Sequence, residues 1–354
     1  MYKRCFTSRL ERSYLTMHAT GLLLIVLGGV MEGAFALPMK FTPRWEWENI
    51  WAAGSLVALI LVPWPLAMLT VPHLGCVYSS APVPAILLAI LFGAGWGCGG
   101  VFFGKGVASL GLSLGTSLIM GLIAIGGSLV PMLLQHKEQL LSKGGAELLA
   151  GIAVMIAGLM VCARAGSLKV GDAQVAKTSS STSFGIGLFY CVASGLLSAL
   201  VNFALIFGTP IAKVALARGL DPATANNSVW ALVFTVAYLV NLGYCLFKGA
   251  RRGTLKKFRS DSTLLYWALA GVMGLLWAGG IVVYGRGASL GGALGPIFGF
   301  PIMLIVSILT GNAAGAVTGE WREAPSVAKA TMACGVIVMI LAILTLGYAS
   351  YAIG

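Results

Sequence analysis

Ten separate stretches of this chain are each apolar enough and long enough to cross a hydrocarbon core about 30 Å thick, and that pattern constrains the fold more than any single motif. They run Thr16–Leu37, Ile50–Val71, Pro84–Gly104, Leu110–Leu134 and Leu148–Ala163, then Phe184–Phe207, Val229–Phe247, Leu264–Tyr284, Ser289–Ala313 and Ala330–Tyr351. Between the fifth and sixth lies a polar linker, 164–183, rich in Ser and Thr. In lipid every backbone polar group must find a partner inside the protein, so these runs are read as helices. The expected fold is an all-α integral membrane protein of ten transmembrane helices in two sets of five: 16–163 and 184–354, preceded by a basic tail, 1–15.

Composition agrees, with 58% hydrophobic residues, 10% charged residues and a mean hydropathy of +0.92. The net charge of +12 resides in short segments between apolar runs, which marks topology rather than nucleic-acid binding. Lys and Arg are more abundant after odd-numbered spans, chiefly in the run Lys248, Arg251, Arg252, Lys256, Lys257 and Arg259. Odd-numbered loops are therefore expected on the cytoplasmic side, with both termini outside. The tail residues Lys3, Arg4, Arg9 and Arg12 precede Met17, which could itself be the start, and argue the other way. Seven cysteines are scattered without a CxxC pair, so neither a disulfide framework nor a metal site is expected. No Ser, His and Asp constellation can be assembled, since His18, His73 and His136 all sit at span ends; catalysis of a reaction is not expected.

The two halves share a signature. Trp96–Leu114 reads WGCGGVFFGKGVASLGLSL and Trp277–Leu294 reads WAGGIVVYGRGASLGGAL, with one residue dropped after the second Gly of GKG or GRG. Weaker matches pair Pro38-Met39-Lys40 with Pro210-Ile211-Ala212-Lys213, and Trp51 with Trp230. A repeat of five spans is odd-numbered, so its two copies must insert in opposite orientations, as in alternating-access carriers whose solute site lies near the midplane between halves. Glycines at 93, 95, 97, 99, 100 and 104, and at 271, 274, 279 and 280, would let helices approach closely.

Polar groups inside lipid are costly and so are functional candidates. Glu32, in GGVMEGAFALPMK, is the one acid clearly within a span. A carboxyl there can load and release a proton, or can reach interfacial water or a Lys. Asn202, Asn241 and Asn312 can donate and accept together, which suits sugar hydroxyls and equally suits bonds between helices. Trp96, Trp277, Phe35, Tyr190 and Tyr284 could offer flat faces to a sugar ring, and the matched Trp96 and Trp277 are the best placed. Lys105 and Arg286, each within a GxG at a span end, fit anchoring or gating. Without a βαβ setting these GxG units are no phosphate loop.

Several blocks in order then resemble one family. GAFALPMKFTPRWEWENIW (33–51), FGAGWGCGG (92–100), SLGLSLG (109–115), ARAGSLK (163–169), LSALVNFALIFGTPIA (197–212), NSVWAL (227–232), NLGYC (241–245) and GEW (319–321) are similar to the bacterial L-rhamnose–proton symporters of the drug/metabolite transporter superfamily. The resemblance covers the chain from Met17 and implies ten spans in a bacterial inner membrane, no cofactor, and proton-driven uptake of a 6-deoxyhexose. It also implies an amide at position 32, where this chain has Glu. The superfamily includes exporters, so export or carriage of another small polar metabolite stays open.

Overall fold

A computed structural model describes residues 19–353 apart from 111, 136, 141, 171–180, 260–262 and 291–294. The basic tail with Met17 and His18, His136, and the middle half of the 164–183 linker, 171–180, lie outside the described residues.

The described residues are helical throughout, with no strand among them. The first helix, α1, covers 19–34 and continues through a 3-10 turn, Leu37–Phe41. Next come α2 (Trp47–Thr70), α3 (Val83–Leu110), α4 (Leu112–Gln135) and α5 (Lys143–Val170). The second set is α6 (Ser181–Leu216), α7 (Asn227–Arg252), α8 (Thr263–Leu290), α9 (Gly295–Val317) and α10 (Ser326–Ile353). Nine of these meet the length and hydropathy needed to span a bilayer among the described residues, and within α4 the apolar stretch Leu118–Leu129 is shorter. α5 runs through Val170, so the first part of the polar segment expected to be linker continues the helix.

Pro63 explains the change of pitch inside α2. Its ring denies α2 an amide donor, and the helix widens into a π segment at Val57–Leu61 just before it, where the Val62 amide donates to the Val57 carbonyl at 3.0 Å. Pro210 and Pro301 sit inside α6 and α9 without ending them.

Packing is long-range and glycine-mediated. A Cβ on Gly280 of α8 would lie 2.9 Å from the Gly28 carbonyl oxygen of α1, and one on Gly287 would lie 2.6 Å from that of Gly21. α1 and α8 are therefore antiparallel and meet backbone to backbone. α3 meets α6 in the same way: a Cβ on Gly99 would be 3.0 Å from the Ser198 nitrogen, and one on Gly106 would be 2.8 Å from Cys191 Sγ. α5 runs antiparallel to α10, with Gly151 against Leu346, Gly158 against Met339 and Gly335 against Cys162. α2 runs antiparallel to α7, joined by Trp51 to Asn241 at 2.9 Å, Trp64 to Thr235 at 2.7 Å and Asn227 to Thr70 at 3.0 Å. α3 lies parallel to α7, Gly93 facing Val233 and Gly97 facing Ala237; α8 lies parallel to α2, Gly274 facing Gly54 and Val57. α4 packs on α6 and α9, and α9 on α1 through Gly29 and Val306. Large apolar side chains such as Leu23, Leu69, Leu91, Met160 and Leu344 point outward, as the lipid-facing surface of such a bundle requires.

Candidate functional site

The two signature tryptophans meet at the centre. Trp96 of α3 and Trp277 of α8 stack with ring centroids 5.8 Å apart and planes 29° from parallel. Phe234 of α7 closes the cluster, 5.5 Å from Trp96 and 5.6 Å edge-on to Trp277, and Trp230 stacks on Phe234 at 4.8 Å. The glycines flanking each Trp make this possible, because they bring α3 against α7 and α8 against α2 closely enough for the rings to reach across.

Glu32 lies beside this cluster. Its backbone nitrogen is close to Gly280, and the Trp277 indole N–H is within hydrogen-bonding reach of its carboxyl. Its Oε2 is buried and has no hydrogen-bond partner, and no charged side chain among the described residues acts on it. Asn202 of α6 lies along the stretch of α3 that holds Trp96, between Leu200, which contacts Gly95, and Phe203, which meets Phe92 at 5.7 Å. Its Nδ2 is likewise buried without a partner.

Other candidates fall elsewhere. Asn241 is buried with both ends of its amide engaged: Oδ1 accepts from Trp51 Nε1 at 2.9 Å, and Nδ2 donates to the Ala237 carbonyl at 2.8 Å. That is the interhelical use of an asparagine. Phe35 packs with Trp45, Ile50, Tyr266 and Met273, one turn beyond Glu32. Tyr190 is twelve residues before Asn202 on the same helix, about 18 Å along its axis, and joins a different group. There the Lys105 ammonium sits 5.5 Å from the ring centre of Tyr190, 5.7 Å from that of Tyr244 and 5.8 Å from that of Phe102. Arg286 binds Asp221 at 3.2 Å, both exposed. Because α3 and α8 run oppositely, Lys105 and Arg286 mark opposite ends of the bundle.

The end that carries Lys105 is tied by charge, and this the sequence reading missed. Glu48, only 1% exposed at the start of α2, is reached by Lys248 at 3.3 Å, Arg252 at 3.4 Å and the Thr254 hydroxyl at 2.9 Å. Glu46 pairs with Lys257 at 2.6 Å, and Glu320 pairs with both Lys40 and Lys169. Trp47 stacks on Trp51 and lies under Lys248. Two acids in WEWEN and a basic run after the seventh span were legible, but only the antiparallel packing of α2 on α7 brings them together. Glu48→Gln removes a buried charge from two cations, and the detergent-solubilised protein is expected to melt several degrees lower, a loss of roughly 1–3 kcal/mol. Glu46→Gln, at a half-buried pair nearer the surface, should shift the same melting curve far less.

The Lys40 ammonium hydrogen-bonded to Glu320 holds that carboxyl below its ordinary 4.5, and Lys257 does the same for Glu46. Lowered folded values mean the pairing contributes stability above the ordinary value and loses it as pH falls through the lowered ones. Melting temperatures from pH 7 down to 3 should therefore drop at the acid end, and Glu46→Gln/Glu320→Gln should flatten part of that drop; an unchanged profile would refute the pairings.

The sequence matches the family model described as L-rhamnose-proton symport protein over residues 16–350. The chain belongs to that family. Proteins named L-rhamnose-proton symporter are similar over nearly their whole length. The one from Mannheimia succiniciproducens is 28% identical over 333 residues, covering 91% of this chain and 95% of the relative. One from Escherichia coli O1:K1 / APEC is 27% identical over 330 residues, with the same coverage. One from Citrobacter koseri is 27% identical over 340 residues, covering 93% of this chain and 98% of the relative. An L-rhamnose–proton symport family is one of multi-pass membrane transporters, not enzymes, and Glu32 and Asn202, beside the segments that carry the stacked tryptophans, are among the described residues of this member with a buried polar atom that has no hydrogen-bond partner.

Proposed function

We propose that this chain takes up L-rhamnose, or a closely related monosaccharide, together with a proton across a bacterial inner membrane by alternating access. The observation that carries the reading is family membership over almost the entire chain, joined to a buried carboxyl oxygen with no partner beside two aromatic faces. A carboxyl in that setting gives the proton a place to ride, and indole faces suit the apolar side of a deoxyhexose ring. The Trp96–Trp277 stack fills the space between the halves, so the sugar enters as the two rings part. Lys105 and Arg286 serve as gating residues at opposite ends.

The packing supports two inverted halves, α1–α5 and α6–α10. Exchanging the halves turns α3 on α6 into α8 on α1, α3 on α7 into α8 on α2, and α4 on α6 into α9 on α1. α2 on α7, α4 on α9 and α5 on α10 map onto themselves. A helix related to its copy by a two-fold axis in the membrane plane runs opposite to it, as α2 does to α7 and α5 to α10. The charged end, with the loops after odd-numbered spans, is the cytoplasmic one in this reading.

Uptake of labelled sugars into proteoliposomes, with and without an imposed pH gradient, tests it. L-rhamnose accumulation that follows the gradient is expected. Rhamnose uptake indifferent to the gradient would refute symport, and uptake of no sugar at all would favour the exporter reading.

A further inference from the structure

The close contacts fix how the first half superimposes on the second, residue by residue. Gly280 of α8 approaches Gly28, and its signature counterpart Gly99 of α3 approaches Ser198. Gly287 approaches Gly21, and its counterpart Gly106 approaches Cys191. Both pairs give the same register between α1 and α6: Gly21 answers to Cys191 and Gly28 to Ser198. In that register Glu32 answers to Asn202. Nothing in the flanking sequences announces this, since GGVMEGAF and SALVNFAL have little in common, and the match of Pro38 with Pro210 would instead set Glu32 opposite Ala204. The two registers part where α1 ends and gives way to the 3-10 turn Leu37–Phe41, while α6 runs on through Pro210.

These two equivalent residues are also two of the few described side chains with a buried polar atom lacking a partner, Glu32 Oε2 and Asn202 Nδ2. One lies by Trp277 and the other by the α3 segment that carries Trp96. Leaving a buried donor or acceptor unmade is unfavourable, and two such vacancies at the same place in both halves point to one shared solute.

We propose that Glu32 and Asn202 are the two copies of a single site, in which Glu32 has become the proton carrier and Asn202 the neutral hydroxyl-binding partner for the same sugar. The proton enters from water onto Oε2 while the bundle is open to one side. The protonated carboxyl then donates to a sugar hydroxyl oxygen, Asn202 Nδ2 donates to a second oxygen across the ring, and the proton returns to water from Oε2 once the bundle opens to the other side. One proton goes in and one comes out, with no covalent step. No titratable side chain from α8 or α9 pairs with Glu32; Tyr284, one turn away against Gly28, is the nearest on α8, and Ser307 and Thr310 face Gly33 from α9. This proposal rests on the sugar–proton reading only for the identity of the solute.

Two measurements test it. The first needs no sugar: a carbodiimide that modifies protonated buried carboxyls is added to vesicles across a pH series, and labelled peptides are read by mass spectrometry. Wild type should label at position 32, and Glu32→Gln/Asn202→Glu should label at position 202 with a pH midpoint within about half a unit of the wild type. The second is sugar exchange and pH-driven accumulation in proteoliposomes. Asn202→Ala should weaken exchange tenfold or more with the fold intact by size-exclusion chromatography, and the exchanged pair should recover pH-driven accumulation to within a few-fold of wild type. No label at position 202 in the folded exchanged pair, or Asn202→Ala with unaltered exchange, would overturn the proposal. Wild type that transports no rhamnose but passes the labelling test would instead overturn the substrate reading alone.

Discussion

Glu32→Gln abolishes pH-driven accumulation of L-rhamnose while leaving sugar exchange in place: that is the expected result of the largest functional effect a single atom can have here. Gln keeps the shape of the side chain and the ability to accept from the Trp277 indole, so the site is preserved. What it loses is the capacity to bind and release a proton. With one proton per sugar, a gradient of one pH unit can drive at most about tenfold accumulation, since one unit is about 1.4 kcal/mol. The variant should equilibrate the sugar to equal concentrations at every pH. Exchange of internal for external sugar, which needs no net proton movement, should persist. Accumulation that still tracks the gradient in the variant would remove Glu32 from the coupling step and leave it a structural acid.

The second large effect is structural. Gly280→Leu should prevent assembly of the bundle, with a loss of about 3 kcal/mol or more and no transport, because its side chain would meet the Gly28 carbonyl oxygen and the Glu32 backbone with no flexible atom to yield. α1 would have to leave α8, taking Glu32 away from Trp277. Gly271→Ala, two turns and more away on the same helix, meets nothing within 4 Å and should be nearly silent. Expression, monodispersity and melting temperature of the two variants side by side make the comparison. Equal behaviour would mean that the close contact of α1 and α8 is not needed for the fold.

Much of this was legible beforehand because lipid leaves so few options. A run of some twenty apolar residues has essentially one fate, so the runs located the helices, nine of which are long and apolar enough to span among the described residues. Their ends were less legible, since helices run on past the apolar stretch, as α6 does from Phe207 to Leu216 and α5 from Ala163 to Val170. The matched Trp96 and Trp277 were equally visible, since a shared motif survives as letters. Other features need three dimensions. Tyr190 and Trp96 were grouped by residue type, but the pitch of α6 carries Tyr190 to the Lys105 end. Asn241 was a candidate ligand because it is polar in lipid, yet both ends of its amide serve α2 and its own helix. Glu48 lies just outside the apolar run Ile50–Val71, and only its neighbours Lys248 and Arg252, some two hundred positions later, make it a buried anchor. The equivalence of Glu32 and Asn202 was hidden because the register lives in backbone contacts rather than in side-chain identity.

The pairing of early helices with late ones has a consequence for how the chain is made. When α1 leaves the insertion machinery its partners α8 and α9 have not been synthesised, and the glycine faces at 21, 28 and 29 have nothing to rest on. Until then a carboxyl-bearing segment must wait in the bilayer or in the translocon with its polar atom untended. α5 waits longer still, for α10. Biogenesis of this carrier is thus a matter of storage: the early helices are held in reserve until α8 to α10 have been made, and ribosome-stalled chains ending before α8 should be handed to membrane proteases rather than persist as folded intermediates.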